Sequence, residues 1–241
     1  LEEEKNMIGL IGRGVVGGAI ENAYTKLNRP LVVVDRGDDF RALDQCTMIW
    51  VAVPEWEIAN VARQVTNRNA LYVIKSTAVP AQFETLFKRF VYVPEFLTAK
   101  NANADFFNPP LLPIGTDNQQ DADMVLDEMF ALNVYCYHAR YVTVAEASAI
   151  KYYANSFLAT KVIFNNQFAN YCEDMGVEWN KIASVLGEDT RLGHTHWQVP
   201  GPDGLPGYGG ACFPKDVRAL VHATDRLTLL EQVDIINKSM R

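Results

Sequence analysis

A short apolar run, Met7–Ile11, passes directly into Gly12-Arg13-Gly14-Val15-Val16-Gly17 and then into a helix-like stretch, Val15–Lys26. No other feature limits the fold as much. Glycines at these positions permit a tight strand-to-helix turn and let backbone N–H groups approach an anion at the helix N-terminus. A second apolar run, Leu31–Val34, ends at Asp35, 18 residues after Gly17. A carboxylate there accepts hydrogen bonds from a ribose diol and repels a 2′-phosphate. Strand, glycines, helix and acid together read as a dinucleotide site built from Gly12, Gly14, Val15, Val16, Gly17 and Asp35. The expected cofactor is NAD rather than NADP, a preference that Arg36 softens.

The alternation continues. Met48–Val53, Leu71–Ile74 and Phe90–Val93 read as buried strands, and Glu55–Val65 and Ala81–Lys88 as helices between them. A strand near Leu112–Ile114, a helix over Gln119–Leu132 and a strand at Val134–Tyr137 extend the pattern. Strands alternating with helices predict an α/β, Rossmann-type doubly wound parallel sheet with right-handed crossovers. The character changes at Tyr141. Thr143-Val144-Ala145-Glu146 has capping-box spacing, and apolar residues recur from Ile150 to Met175 before Gly176. The 33 residues Thr143–Met175 make a helix of about 50 Å. Shorter helices follow over Glu178–Leu186, Pro214–Thr224 and Leu227–Lys238, around a Gly/Pro-rich stretch, Gly193–Gly210. The expected organisation is a dinucleotide-binding domain over 1–140 and an all-helical domain over 141–241, built on the long helix. That helix carries apolar residues on more than one face, which predicts a two-fold homodimer. Residues 1–6 lack an initiator Met and read as an expression remnant or a trimmed leader.

The chain of 241 residues has a net charge of −7. That disfavours nucleic acid or an anionic membrane as partner. No apolar run approaches the ~18 residues of a membrane helix, and no secretory signal is visible. Cys46, Cys136, Cys172 and Cys212 form no CxxC pair, which speaks against a zinc knuckle and for a reducing, cytoplasmic setting.

In an open α/β sheet, ligands sit outside the carboxyl ends of the strands. Val53-Pro54, Lys75-Ser76-Thr77 and Pro94-Glu95 fall there in turn, and Thr77 and Glu95 are the candidates for chemistry. The second candidate is Gly207-Tyr208-Gly209-Gly210-Ala211-Cys212-Phe213-Pro214-Lys215-Asp216. Pro214 suits a first helical turn, so Cys212 sits at a helix N-terminus that stabilises a thiolate. Lys215 assists, and Asp216 can face the sulfur as a proton acceptor. The other three cysteines read as inert. Lys151 and Asn155 share a face of the long helix, as a substrate-facing pair able to stabilise an alkoxide and hold a hydroxyl or water. His194-x-His196 lacks the third ligand of a catalytic metal site and reads as part of a loop over the cleft; no metal is expected.

These motifs resemble the UDP-glucose/GDP-mannose dehydrogenase family. Gly209–Asp216 is similar to its catalytic-cysteine motif. Ala145-Glu146 through Asn155-Ser156-Phe157-Leu158-Ala159 is similar to its central-helix motif, and Lys75-Ser76-Thr77 and Pro94-Glu95-Phe96-Leu97 match two more. The resemblance implies NAD-dependent oxidation of a nucleotide-sugar primary alcohol to a carboxylate, with Cys212 forming a thiohemiacetal and then a thioester. It implies that Lys151 and Asp216, with Asn155, handle protons and the oxyanion, that Glu95 serves thioester hydrolysis and that Thr77 orders water. It adds Val53, Thr77 and Lys215 to the cofactor contacts. It places Glu95, Phe96, Leu97, Lys151, Asn155, Tyr208 and Gly209 on the substrate, with Arg191 reaching a neighbouring subunit's substrate. Relative to the family pattern, Ala99 stands for a second Glu, Leu111 for an Arg, and Pro54-Glu55 for a Thr-Pro. The loop from Arg191 to Cys212 is longer, and the resemblance is to a short form without the C-terminal nucleotide-binding domain. Two other readings stay open: a two-electron NAD-dependent hydroxyacid dehydrogenase, and a non-catalytic NAD-binding protein.

Overall fold

A computed structural model describes residues 7–241; the six residues before Met7 lie outside that range. The chain divides by contact density after Lys151 into two compact units.

The first unit is a seven-stranded sheet of order β2-β1-β3-β4-β5-β6-β7. Its strands are β1 (Ile8–Ile11), β2 (Val32–Val34), β3 (Met48–Val51), β4 (Leu71–Ile74), β5 (Phe90–Tyr92), β6 (Leu112–Gly115) and β7 (Ala139–Val142). The four strands β1, β3, β4 and β6 are buried along their whole length, as expected of short Val/Ile-rich runs covered on both faces. Strand order reverses beside β1, so the ends of β1 and β3 bound a crevice at a topological switch point. Helices α1 (Val15–Lys26), α2 (Ile58–Gln64), α3 (Ala102–Phe107) and α4 (Gln119–Ala131) complete the layers. Tyr24 on α1 donates to Glu128 on α4, Arg29 grips the same carboxylate with both terminal nitrogens, and Trp50 donates to the Tyr24 hydroxyl at 3.1 Å. This partly buried network ties α1 to α4, and burial together with the neighbouring carboxylate drives the Tyr24 phenol far above its ordinary pKa.

The sheet is the expected doubly wound, predominantly parallel one, with one antiparallel pair, β5 and β6, meeting at Tyr92 and Gly115. Three expectations need correction. Val134–Tyr137 is no strand: the Val134 amide returns to Met129 at the exit of α4, and Tyr137 is almost fully exposed. The strand forms five residues later, at Ala139–Val142, as a half-exposed edge. Ala81–Lys88 is no helix either. Phe83 and Phe87 are buried four residues apart, which mimics a helical repeat, but successive short turns satisfy the amides of Gln82, Phe83 and Leu86. Glu55–Glu57 forms a 3-10 turn, and only Ile58–Gln64 is α-helical.

Helix α5 (Val144–Asp174) is the long helix. Its capping box is present: Glu146 Oε2 accepts from the Thr143 amide at 2.8 Å, and the Glu146 amide donates to Thr143 Oγ1. Gly176, with φ +68, ends it, and the Val177 amide turns back to Cys172, an αL cap that an L side chain adopts only with strain. The second unit adds α6 (Trp179–Leu186), α7 (Phe213–Ala223) and α8 (Thr228–Met240). Ala159, Ile163, Tyr208, Val217, Leu230 and Val233 form its core. No helix among the described residues is long and apolar enough to cross a membrane.

Candidate active site

In the first unit, Gly12 has φ +97 and its amide donates to Val34 at 2.9 Å. A Cβ on Gly12 would fall 2.5 Å from the Ala52 carbonyl oxygen, and one on Gly17 would fall 1.9 Å from that of Gly12. These two glycines close the turn. Gly14, the N-cap of α1, is exposed, has no side chain to cap the helix, and would meet nothing with a Cβ. It leaves a bare helix N-terminus, the seat a pyrophosphate takes.

Asp35 accepts from the Arg13 amide through Oδ2 at 3.2 Å and from the Arg36 amide through Oδ1 at 2.8 Å. Arg36 is turned to Glu57, at 2.7 Å. A cavity of about 780 Å³ opens beside these residues, lined by Arg13, Asp35, Phe40, Val53, Pro54 and Asn60 among others. Its volume suits the nucleoside half of a dinucleotide, and the paired Arg36 leaves its guanidinium bound to a carboxylate. The residues present fit NAD.

At the ends of β4 and β5 the same unit gathers three charges. Glu95 is buried; its Oε1 accepts from Lys151 Nζ at 3.3 Å and its Oε2 from the Leu97 amide at 2.6 Å. Lys151, also buried, lies 5.0 Å from the Phe96 ring centre. Lys75 and Glu95 line one small cavity, and burial pulls the Lys75 ammonium down to about 8, against the attraction of Glu95 and with the repulsion of Lys151. Thr77 stands half-buried beyond Lys75 and Ser76. The Lys151–Glu95 pair is not readable from spacing, since the two residues are 56 apart.

In the second unit Cys212 is the N-cap of α7 and the one exposed cysteine; Cys46 and Cys172 are buried and Cys136 is intermediate. Burial raises the Cys46 thiol to about 11. Asp216, fully buried in the first turn of α7, accepts from Asn155 Nδ2 and from Lys215 Nζ, the latter at 2.6 Å. Its carboxylate is thus held by an amide and an ammonium, where the helix dipole also favours an anion. The ring of Tyr208 is core, so only its backbone can face a ligand, whereas Gly209 is half-buried. Arg191, exposed on the loop after α6, folds onto Asp189.

That loop is more ordered than its composition suggests. Lys161 Nζ donates to the carbonyls of Leu192, Gly193 and Thr195 and lies 4.0 Å from the Trp197 ring centre. Asn165 donates to the His196 carbonyl. His194 Nδ1 contacts the Gly187 carbonyl, and burial followed by Lys161 lowers the His196 pKa. Among the described residues no three His, Cys, Asp or Glu side chains gather as metal ligands. Sequence reasoning missed Lys161, Asn166 and Asn237. The available signal was a lysine and asparagines among apolar helix positions, where propensity disfavours asparagine.

Residues 145–239, which carry Lys151, Asn155, Cys212 and Asp216, match the model of the UDP-glucose/GDP-mannose dehydrogenase family, central domain. Over these residues the chain belongs to this family. Its sequence is 36% identical over 163 residues to a UDP-glucose 6-dehydrogenase of Rickettsia bellii, covering 64% of this chain and 36% of that protein. The chain thus spans little more than a third of that relative's length. The fold is similar to that of a UDP-glucose dehydrogenase from the archaeon Pyrobaculum islandicum, with a TM-score of 0.83 at 22% identity over 99% of this chain and 70% of the other. It also resembles a Mycobacterium tuberculosis 3-hydroxyisobutyrate dehydrogenase, with a TM-score of 0.73 at 16% identity over 97% of this chain and 93% of that one. At such identities the likeness is of fold.

Proposed function

We propose that the chain oxidises the primary alcohol of a nucleotide sugar to a carboxylate, using NAD and a covalent cysteine adduct. The observation that carries this reading is the segment Gly209–Asp216, in which an exposed Cys212 caps α7 and the buried Asp216 carboxylate is held by Asn155 and Lys215. Membership of the family supports it. Gly12, Gly14 and Gly17 with Asp35 and Val53 would hold the dinucleotide, which when bound supplies the hydride acceptor.

Loss of a hydride from the alcohol carbon and of the hydroxyl proton leaves an aldehyde; the Cys212 thiolate adds to its carbon, giving a thiohemiacetal whose oxygen takes up a proton. Loss of a hydride and that proton leaves a thioester. Water then adds and the carbon–sulfur bond breaks, releasing the acid and restoring the thiol. Glu95 takes the attacking water's proton, and Lys151, 3.3 Å from Glu95 Oε1, holds that carboxylate in place. Asn155 and Asp216 position the hydroxyl and accept its proton, while Thr77 orders water. We further propose a homodimer through α5, on which Tyr153, Phe157, Phe164 and Tyr171 are all exposed.

The test is stoichiometry. The wild-type chain, given candidate sugar nucleotides, yields two NADH per substrate, and Cys212→Ser yields little or none with NAD affinity unchanged. One NADH per substrate, with Cys212→Ser fully active, would establish the two-electron alternative that the fold also accommodates. NAD binding without turnover on any candidate would establish a non-catalytic protein.

A further inference from the structure

Two side chains that the reaction leaves idle converge on the peptide just ahead of Cys212. The Gly207 amide donates to Asn166 Oδ1 at 3.0 Å, and the Tyr208 amide donates to Asn237 Oδ1 at 2.7 Å. Asn166 lies on α5 and Asn237 on α8, and both are buried. Asn166 is itself oriented, its Nδ2 donating to the Val162 carbonyl at 2.8 Å. Gly207 has φ +73, and a Cβ there would fall 2.4 Å from Asn237 Oδ1, so the glycine is what lets the backbone close on the amide. Two residues after Gly207, Gly209 packs against the guanidinium of Arg241, which is paired with Asp203.

From this geometry we infer that Asn166 and Asn237 are positioning residues: they clamp the Gly207–Tyr208 peptide and thereby fix where Cys212 stands at the head of α7. The inference rests on the reading of Cys212 as the nucleophile. The physical reason is the composition of the segment. Gly207, Gly209 and Gly210 surround Tyr208, and Gly210 has φ +78. A run with so little side-chain constraint has much backbone freedom to lose on ordering. Nearby helices supply buried acceptors for consecutive amides, and the Tyr208 ring fills the core beneath them. Asparagine is a poor residue for a helix interior. A buried amide whose oxygen takes a loop N–H instead of water is a reason for its presence at both places. With the clamp closed, the sulfur stays within reach of the α7 N-terminus, whose dipole favours the thiolate. With the clamp open, the sulfur samples positions away from it.

The test follows alkylation of Cys212 by iodoacetamide across pH in the full chain, by peptide mass mapping, together with amide hydrogen exchange in the wild type. Asn237→Ala and Asn166→Ala should each slow alkylation at pH 7 by about tenfold by moving the pH midpoint upward with the plateau unchanged. The double variant should be no slower than the singles, and Asn237→Asp, which keeps an oxygen for the Tyr208 amide, should restore the wild-type midpoint. In the wild type the Gly207 and Tyr208 amides should exchange more than about a hundredfold slower than that of Gly204 in the same loop. Folded alanine variants with the wild-type midpoint, or Gly207 and Tyr208 amides exchanging as fast as Gly204, overturn the clamp. If the alanine variants do not fold, the exchange measurement decides alone. Full two-step turnover by Cys212→Ser would remove the nucleophile reading while leaving the exchange result standing, so the two failures are distinguishable.

Discussion

Lys151 Nζ lies 3.3 Å from Glu95 Oε1, and both side chains are more than nine-tenths buried. Removing one partner of such a pair leaves an uncompensated charge out of water, at about 3–5 kcal/mol. The two removals are not equivalent here, because Lys75 shares the small cavity with Glu95. Lys151→Met leaves Glu95 facing Lys75. Glu95→Gln leaves two ammonium groups facing each other. We expect Glu95→Gln to lower stability more than Lys151→Met, and the double variant to lose less than the sum. Urea unfolding of the three chains measures this; equal losses for both singles would show that Lys75 does not sense Glu95.

Lys75 gives a pH signature. Its pKa falls from an ordinary 10.5 to about 8 in the folded chain, first through burial, with Lys151 adding to the effect and Glu95 opposing it. Below pH 8 the group is charged in both states and the fold carries the full penalty, roughly 3 kcal/mol. Between about pH 8 and 10.5 the unfolded chain binds the extra proton, so this group makes stability rise with pH. Lys75→Met should therefore be more stable than wild type at pH 7, with the gap closing as pH approaches 10. Chemical denaturation at several pH values reads the gap; one that stays constant from pH 7 to 10 contradicts the shift.

Asp35 bears on cofactor choice. Its two oxygens already accept the Arg13 and Arg36 amides, which fixes the carboxylate at the mouth of the 780 Å³ cavity. Calorimetry should find NAD bound more tightly than NADP, and Asp35→Ser should narrow the difference by about tenfold or more. Tighter NADP binding by the wild type would mean that Arg36 leaves Glu57 for the phosphate.

The aromatic residues of α5 test assembly. Tyr153 stacks on Phe157, and Phe164 packs on Phe168 with all four rings reaching solvent. Such a row is costly to leave wet. Light scattering at micromolar concentration should report a dimer, and Phe157→Glu with Phe164→Glu a monomer that remains folded. A wild-type monomer would remove the dimer and the part given to Arg191 across it.

Much of this was legible in the sequence because the signals were local. The turn after β1, the Thr143–Glu146 capping box and the placing of Cys212 at the head of α7 each lie within a few residues of chain. What was not legible depends on partners far apart. The antiparallel entry of β6, the aromatic wrap of Phe83 and Phe87 and the six-residue helix α3 are decided by what the sheet offers rather than by periodicity. The pairing of Lys151 with Glu95 and the holding of Asp216 by Asn155 are likewise tertiary. Spacing marked the residues but not which would meet.

The three glycines of the first turn divide two duties that a motif presents as one. Gly12 and Gly17 have backbone where a methyl group would go, whereas Gly14 has open space. An alanine at the first two attacks the architecture; at Gly14 it attacks only the seat for an anion. Gly14→Ala therefore offers a cofactor-blind twin of the folded chain, a reference against which any effect of NAD on shape, assembly or cysteine reactivity can be read.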